Sequence, residues 1–209
     1  MPPPSLHLYT YADPPNPKHV DQIVDVLRHD GVIAMSTGTN WAFAADPTSK
    51  KANQRIQRLK PNHSNDRPFS LMCSDIAMAT TMTAIDGSAY RRLRRIWPGP
   101  FTVLLKASRQ LPRVLKTKRA IVGVRIPDDP FALHLIERFG GPLVVSTVPK
   151  NPDGTYLTMG YEVQELFGHA LDLVVDLGEP LPATETTVLD LTSGEVEVVR
   201  QGVGDTSLL

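Results

Sequence analysis

The chain has one cysteine, Cys73, and no apolar run of the length that a membrane-spanning helix needs, about 20 residues. A single thiol cannot form an internal disulfide. The amino terminus, MPPPSLHLYTYADPPNPK, lacks both the basic region and the apolar core of a signal peptide. We therefore expect a cytoplasmic protein that does not contact membranes, with Cys73 buried and unreactive in the apolar run FSLMC.

Common catalytic motifs are absent as well. The sequence contains no P-loop, no paired CxxC, no HExxH and no GxSxG. Its six histidines are scattered, without the close pairing of zinc ligands. We predict no metal site built by the protein.

The net charge is zero, but acidic residues are scarce in the first part of the chain and basic residues are scarce in the second. Residues 1–125 hold 19 Lys and Arg against 8 Asp and Glu, and residues 126–209 hold 3 against 14. The basic half favours a polyanionic partner such as RNA, unless the halves neutralise each other or the charges form solvated faces. The densest basic residues are predicted to contact RNA: Arg91, Arg92, Arg94, Arg95, Lys116, Lys118 and Arg119.

Apolar periodicity predicts one α/β domain with a mixed, largely covered sheet. Prolines near the amino terminus favour an extended lead-in over residues 1–16, followed by a domain over residues 17–205. Val20, Ile23, Val24 and Leu27 predict an amphipathic helix that Gly31 ends in a left-handed cap. A second helix, capped by Thr48 or Ser49, is predicted to run through Leu59.

Strand-like runs VIAMS, PFSLMC, FTVLLK, AIVGVR and PLVVST follow, separated by helical patterns at 75–81, 87–97, 129–139 and 161–169. TTVLDL and EVEVVR flank TSG, which predicts an antiparallel hairpin. Hydroxyl side chains cluster at strand ends: Ser36, Thr37, Thr39, Ser146, Thr147, Thr186 and Thr187. Such positions line ligand crevices in α/β sheets, although Ser and Thr also cap helices and fill turns.

Six segments, in order, resemble the YrdC family, whose archetypes are threonylcarbamoyl-AMP synthases, and the likeness spans about residues 17–205. They are GVIAMSTGTNWAFAAD, RLKPNHSNDRPFSLMC, WPGPFTVLLK, VGVRIPDDP, GPLVVST and TTVLDLTSGEVEVVRQGVGD. The WPGP turn, the VGVRIP strand and the closing segment are most similar to the YciO branch. The resemblance implies a twisted sheet with a concave basic face suited to nucleotide and double-stranded RNA.

For the synthases, the family chemistry is adenylation of a carbamate made from threonine and bicarbonate, with ATP as donor and pyrophosphate released, in tRNA modification. Such a reaction depends on cations that neutralise phosphate charge, commonly with a divalent metal. ATP with Mg²⁺ is therefore the cofactor expected if this chain is a synthase. Lys60 matches the lysine of the synthases' Lys-x-Arg motif, but Asn62 replaces the arginine and Arg67 is its possible substitute.

Two other family motifs are altered. Gly38 stands where the synthases have an acidic residue, and Pro149 stands where they have the asparagine of Thr-Ser-Ala-Asn. Losing charge-assisted contacts, at about 1.5–3 kcal/mol each, disfavours efficient synthase activity. The leading hypothesis is a YciO-like protein that binds nucleotide, double-stranded RNA or tRNA. The alternatives are a working threonylcarbamoyl-AMP synthase and a folded relic without a ligand.

The residues predicted to contact nucleotide are Thr37, Thr39, Lys60, Arg67, Arg125, Ser146, Thr147 and Thr187. For Arg125, a structural ion pair with Asp128 or Asp129 is an equal alternative. Trp41 is predicted to be a core residue, with base stacking as the less favoured alternative, and Trp97 is assigned to packing.

Overall fold

The fold is a ten-stranded sheet with helices on both faces. The computed structural model describes residues 6–60 and 69–209, and these residues form six α-helices and ten strands. The helices are Pro17–Arg28 (α1), Lys50–Arg58 (α2), Ile76–Met82 (α3), Gly87–Ile96 (α4), Pro130–Phe139 (α5) and Gly160–Phe167 (α6). The strands are Leu6–Tyr9 (β1), Ile33–Ser36 (β2), Trp41–Ala45 (β3), Ser70–Met72 (β4), Phe101–Lys106 (β5), Ile121–Arg125 (β6), Leu143–Thr147 (β7), Leu173–Asp176 (β8), Thr187–Asp190 (β9) and Glu197–Arg200 (β10).

The strands form one sheet in the order β1-β8-β2-β3-β7-β4-β6-β5-β9-β10. Strand β8 is parallel to both β1 and β2, β4 is parallel to β6, and β5 is parallel to β9. The remaining neighbours are antiparallel, including the β9–β10 hairpin around TSG. The predictions of a mixed sheet and of an antiparallel carboxy-terminal hairpin are confirmed.

Helix α1 follows its sequence signals at the start but not at the end. The side chain of Asn16 accepts a hydrogen bond from Lys18 N, and Pro17 occupies the first turn, where no intrahelical donor is needed. The left-handed residue after the helix is Asp30, with φ of 61°, so the cap predicted at Gly31 is wrong. Gly31 is required for a different reason: a Cβ there would lie 2.4 Å from the carbonyl oxygen of Val26, to which Gly31 N donates.

The amino terminus departs from the expected lead-in. Strand β1 pairs in parallel with β8 along its whole length, and His7 Nε2 lies 2.9 Å from Asp176 Oδ2. Ordered structure therefore begins before residue 17, because an edge strand gains its hydrogen bonds from a neighbour that is distant in sequence. The prolines at positions 14, 15 and 17 follow this strand and do not interrupt it.

The sheet separates two apolar cores. The smaller one contains α1 and α5 packed on residues such as Ile33, Met35 and Leu173. The larger one lies on the other face and includes Phe43, Leu71 and Val103, with helix residues from α2, α3, α4 and α6. Because successive strand residues point to opposite faces, each central strand contributes to both sides.

No helix in residues 6–60 and 69–209 is long and apolar enough to cross a membrane.

Candidate functional site

A cleft of about 640 Å³ lies on the sheet face that α1 and α5 partly cover. Ala42, Met72 and Val145 belong both to the smaller core and to the cleft lining, so the cleft adjoins those two helices. On β5, Thr102 and Leu104 line the cleft, whereas Phe101, Val103 and Leu105 point into the larger core. The cleft therefore has a mainly apolar floor made by the strands.

One wall of the cleft is organised by Arg125, at the end of β6. Its Nη1 donates to Thr37 Oγ1 at 3.1 Å and to Thr39 Oγ1 at 3.0 Å, and its Nη2 donates to the Thr37 carbonyl at 2.8 Å. The residue is 8% exposed, and burial lowers the pKa of its guanidinium to about 10, so it remains charged at neutral pH. No direct salt bridge joins Arg125 to Asp128 or Asp129. Arg125 thus holds the turn between β2 and β3.

The two threonine hydroxyls of this turn differ in what they can still donate. Thr37 Oγ1 donates to the carbonyl of Asn40 at 2.9 Å, so its proton is committed. Thr39 Oγ1 accepts from Arg125 and has only a long contact, 3.4 Å, with Thr37 Oγ1. Of the two, Thr39 is the better placed to donate to a ligand.

The amide of Asn40 adds an acceptor to this wall. Its Nδ2 donates to the Thr184 carbonyl at 2.7 Å, and because a carbonyl can only accept, the orientation of the amide is fixed. Asn40 Oδ1 and Arg125 Nε are then buried without a hydrogen-bond partner in the described part of the chain. Such atoms are uncommon in folded proteins and are often found at functional sites.

Ser146 and Thr147, at the end of β7, also line the cleft. Ser146 is half-buried and Thr147 is exposed. Lys60 lines the cleft as well, directly after α2. Arg67, together with Asn62, lies outside the described residues.

Thr187 does not line the cleft, although it was predicted to. It is fully buried, donates to the Gly204 carbonyl at 2.9 Å and accepts from Gly202 N at 3.0 Å. It points into the interior beside Leu189, because residues two apart on a strand share a face. Its neighbour Thr186 lines the cleft instead.

A polar cluster that was not predicted from the sequence lies at the cleft, which three of its members, Tyr156, Glu185 and Arg200, line. The hydroxyl of Tyr156 donates to Glu185 Oε1, and Glu185 Oε2 lies 3.2 Å from Arg200 Nη1. Lys150 Nζ lies 3.8 Å from Glu185 Oε1 and 4.2 Å from the centre of the Tyr156 ring. Arg200 Nη2 also donates to the carbonyl and hydroxyl of Thr186.

This cluster had little sequence signal, since its members come from three separate segments. Only Arg200 lay inside a family-like motif, and no spacing rule connects it with Tyr156. The hydrogen bond from Tyr156 holds the pKa of Glu185 below its usual range, assisted by Arg200 and Lys150. Burial, followed by the contact with Glu185, raises the pKa of Tyr156 to about 12.

The basic residues predicted to contact RNA lie away from this cleft. Helix α4 buries Leu93 and Ile96 in the larger core, on the face opposite the cleft, so the arginines of α4 belong to that other side. Arg92 donates to the Gly194 carbonyl at 3.0 Å. Lys116, Lys118 and Arg119 are exposed between β5 and β6, and none of the seven predicted residues lines the cleft. The cleft and these seven basic residues are therefore separate features.

Both tryptophans are packing residues. Trp41 is 2% exposed, lies in the larger core and donates from Nε1 to the Thr158 carbonyl at 3.1 Å. It therefore does not offer a face for base stacking in the cleft. Trp97 Nε1 donates to the Phe101 carbonyl within the same core.

A metal ion held by protein ligands has little support here. The described ranges contain no group of three or more His, Cys, Asp or Glu side chains placed to bind a metal ion. Glu185 is the one carboxylate among the described residues that line the cleft, and Tyr156 and Arg200 engage it. These residues do not fit a protein-held Mg²⁺, which prefers one or two free carboxylates.

Comparison with known proteins assigns the family. The family model Sua5/YciO/YrdC, described as telomere recombination, matches residues 25–202. The chain is 33% identical over 205 residues to YciO, an uncharacterized protein of Escherichia coli (strain K12), covering 96% of this chain and 97% of that protein. The crystal structure of E. coli YciO superposes with a TM-score of 0.91 at 31% identity and covers 98% of each chain. The chain belongs to the Sua5/YciO/YrdC family.

The synthases of this family are also similar to the chain. Threonylcarbamoyl-AMP synthase of Coxiella burnetii (strain RSA 493 / Nine Mile phase I) is 29% identical over 181 residues, which are 85% of this chain and 95% of that protein. The crystal structure of P. abyssi Sua5 complexed with L-threonine has a TM-score of 0.84 at 25% identity. It covers 95% of this chain and 58% of that one. The predicted family and fold class are confirmed.

Proposed function

We propose that this chain binds a nucleotide in its cleft, as a YciO-like member of the family. The observation that carries the proposal is the composition of the cleft, in which apolar strand residues lie beside cations, hydroxyl groups and one carboxylate. Pockets of about 300–1,000 Å³ with an apolar lining and a few polar groups are typical of small-ligand sites. A base or sugar can cover the floor while phosphate oxygens meet cations and hydroxyls.

The charges that line the cleft support an anionic ligand. Lys60, Arg125 and Arg200 oppose the single carboxylate of Glu185 among the described lining residues. Arg125 donates three of its five N–H groups to Thr37 and Thr39, so it orients this wall and adds positive charge to it. We propose Lys60 as a direct phosphate contact, with Thr39, Ser146 and Thr147 as oxygen-contacting donors. Arg67 remains a proposed second cation of the same loop.

We also propose that double-stranded RNA or tRNA binds through the exposed basic residues of α4 and of the β5–β6 connection. The support is their charge and exposure, and contacts of this kind are salt-sensitive. A cytoplasmic location fits such a partner. Because these residues lie away from the cleft, the nucleotide site and the RNA surface can be tested separately.

Calorimetry with AMP and ATP tests the nucleotide site. We expect Lys60→Ala and Arg67→Ala each to weaken binding by about tenfold, the effect of losing one charge-assisted contact. Lys18→Ala, an exposed lysine on α1, is the control of equal charge change and should bind as the wild type does. Absence of nucleotide binding by the wild type would reject the site.

RNA binding is tested by fluorescence anisotropy with tRNA and with duplex RNA at increasing salt. The expected result is an affinity that falls steeply with salt and falls further in an Arg94→Ala/Arg95→Ala variant. Binding that ignores salt, or no binding at 50 mM salt, would contradict the proposed RNA surface.

A second candidate function is threonylcarbamoyl-AMP synthesis, favoured by the similarity to synthases and by the presence of Lys60 in the cleft. Gly38 and Pro149 argue for low activity, because neither supplies the side-chain group found in the synthase motifs. Any Mg²⁺ used in this reaction would enter with ATP, since the described residues do not fit a protein-held ion. Pyrophosphate release from ATP, threonine and bicarbonate tests the activity, with a working synthase as the positive control. Release equal to a protein-free blank excludes it.

A further inference from the structure

The proposed nucleotide site assigns no role to the polar cluster of Tyr156, Glu185, Arg200 and Lys150. We propose that Glu185 is an internal competitor for an anion: its carboxylate occupies the position between Arg200 and Lys150 where a phosphate group of the cleft's ligand binds. This inference rests on the proposed function, because it concerns the same cleft. It adds a second phosphate position, at Arg200 and Lys150, together with a group that tunes the affinity of that position.

The geometry gives Glu185 the role of a shared counter-ion. One carboxylate oxygen, Oε2, faces Arg200 Nη1 at 3.2 Å, and the other, Oε1, faces Lys150 Nζ at 3.8 Å. A phosphate oxygen pair offers the same two acceptors, with more negative charge. The carboxylate thus stands where such a group would gain most from both cations.

Both cations remain accessible to a ligand. The side chains of Arg200 and Lys150 are 45% and 46% exposed, and Arg200 lines the cleft. Arg200 Nε and Nη2 are fixed on the Thr186 carbonyl, which leaves Nη1 as the end that turns toward a ligand. Arg200 is therefore oriented by Thr186 independently of Glu185.

Glu185 can leave this position through its side chain alone. Its backbone carbonyl accepts from Val203 N at 2.9 Å, and the neighbouring Thr184 N donates to the Thr39 carbonyl at 3.1 Å. These bonds hold the segment in place while the side chain, 35% exposed, rotates toward solvent. Its ion pairs are partly exposed, and pairs of this kind are weak and easily exchanged for a more highly charged anion.

Tyr156 contacts both the carboxylate that leaves and the lysine that binds the phosphate. Its hydroxyl donates to Glu185, and its ring carries Lys150 above it, so it places the carboxylate and the lysine together. When a phosphate replaces the carboxylate, the same hydroxyl can donate to a phosphate oxygen. The position therefore offers three donors from two segments of the chain, the β7–α6 connection and the end of β10.

The test compares Glu185→Gln with the wild type by calorimetry, using inorganic pyrophosphate, AMP and adenosine as probes. Gln keeps the shape of Glu185 but lacks its charge, so it competes less for the two cations. We expect pyrophosphate and AMP to bind about 3- to 30-fold more tightly, the range given by losing one or two partly exposed ion pairs, with adenosine unchanged. Glu165→Gln, an exposed carboxylate on α6, has the same change in net charge and should stay within twofold of the wild type.

Two further variants distinguish the proposed competition from an effect on folding. Glu185→Asp retains the charge but is one methylene shorter and cannot reach both cations, so it should bind pyrophosphate with intermediate affinity. Lys150→Met should weaken binding, and its effect should be larger in the Glu185→Gln background, where the lysine is no longer neutralised. Melting curves without ligand establish that each variant is folded.

The outcomes separate this inference from the proposed function. Unchanged or weaker pyrophosphate binding in Glu185→Gln, or no pyrophosphate binding by any variant, overturns the inference even if the wild type binds nucleotide. Absence of AMP and ATP binding by the wild type rejects the proposed function. If Glu185→Gln nevertheless binds pyrophosphate more tightly than Glu165→Gln does, the anion position stands by itself.

Discussion

Replacing Arg125 by Met should destabilise the protein far more than replacing an exposed arginine does. Arg125 is 8% exposed and makes three hydrogen bonds to the turn between β2 and β3. Met retains most of the apolar volume of the side chain, so the substitution removes chiefly these bonds and the charge. The variant therefore isolates the contribution of the guanidinium.

The magnitude follows from two opposing effects. Three hydrogen bonds from a charged donor contribute about 5–9 kcal/mol in total. Burial costs part of this: it lowers the pKa of Arg125 from 12.5 to about 10, which corresponds to about 3 kcal/mol at 1.4 kcal/mol per pKa unit. The net loss of unfolding free energy expected for Arg125→Met is about 2–6 kcal/mol. Arg125→Lys, which retains the charge but not the forked geometry, should fall between.

Urea unfolding, followed by both tryptophan fluorescence and circular dichroism, measures this loss; coincident curves support a two-state analysis. The control is Arg138→Met, which removes an exposed arginine whose pair with Asp21 is 2.6 Å long but half in solvent. It should cost less than about 1 kcal/mol. An Arg125→Met loss no larger than that of Arg138→Met would refute the assignment of Arg125 as the organiser of this wall.

Three further predictions concern pH, reactivity and backbone space. Burial raises the pKa of Asp129, so the folded protein binds the carboxyl proton more tightly than the unfolded chain does. The stability that this group contributes is therefore full below the unfolded pKa of about 4, and it declines as the pH rises through the folded-state pKa. Asp129→Asn removes that decline, so in urea titrations the wild type should lose stability relative to the variant as the pH rises from about 4. A difference that does not change with pH contradicts this prediction. Burial raises the pKa of Cys73 to about 12, so a thiol reagent at pH 8 should label it only in denaturant, and rapid labelling of the folded protein would argue against burial. A Cβ at Gly202 would lie 2.2 Å from the Glu185 carbonyl oxygen, so Gly202→Ala should lower the Tm by several degrees. Gly87→Ala should not, because a Cβ at Gly87 would meet only Arg91 Nη1, at 3.9 Å.

Helices and strands could be predicted where a short segment contains the whole pattern of apolar residues that identifies them. The period of Val20, Ile23 and Leu27 predicted α1, and the run FTVLLK matches β5 residue for residue. Strands β3 and β8 were not predicted. WAFAA is buried at every position, and a short apolar run of this kind does not distinguish a strand from a loop or helix.

The candidate site could be predicted only in part, because local chemistry identifies candidate side chains but does not show which sheet face they lie on. Hydroxyls at strand ends indicated Thr39, Ser146 and Thr147, which do line the cleft. The choice between Thr186 and Thr187 depended on which face of β9 each side chain takes, and the register of a neighbouring strand sets that face. The sequence contains both threonines but not the register.

The family, the α/β class and the chemical character of the cleft residues could be predicted from the residues alone, because motifs, apolar periods and side-chain chemistry are properties of local segments. The folded chain was needed to see that Arg125 orients threonines instead of pairing with a neighbouring aspartate, and that helix α4 with its arginines lies on the sheet face opposite the cleft. It also brought Tyr156, Glu185 and Arg200 together from distant segments. The order and register of the ten strands decide which face of the sheet a side chain lies on and which side chains are its neighbours, and a local segment does not contain that information.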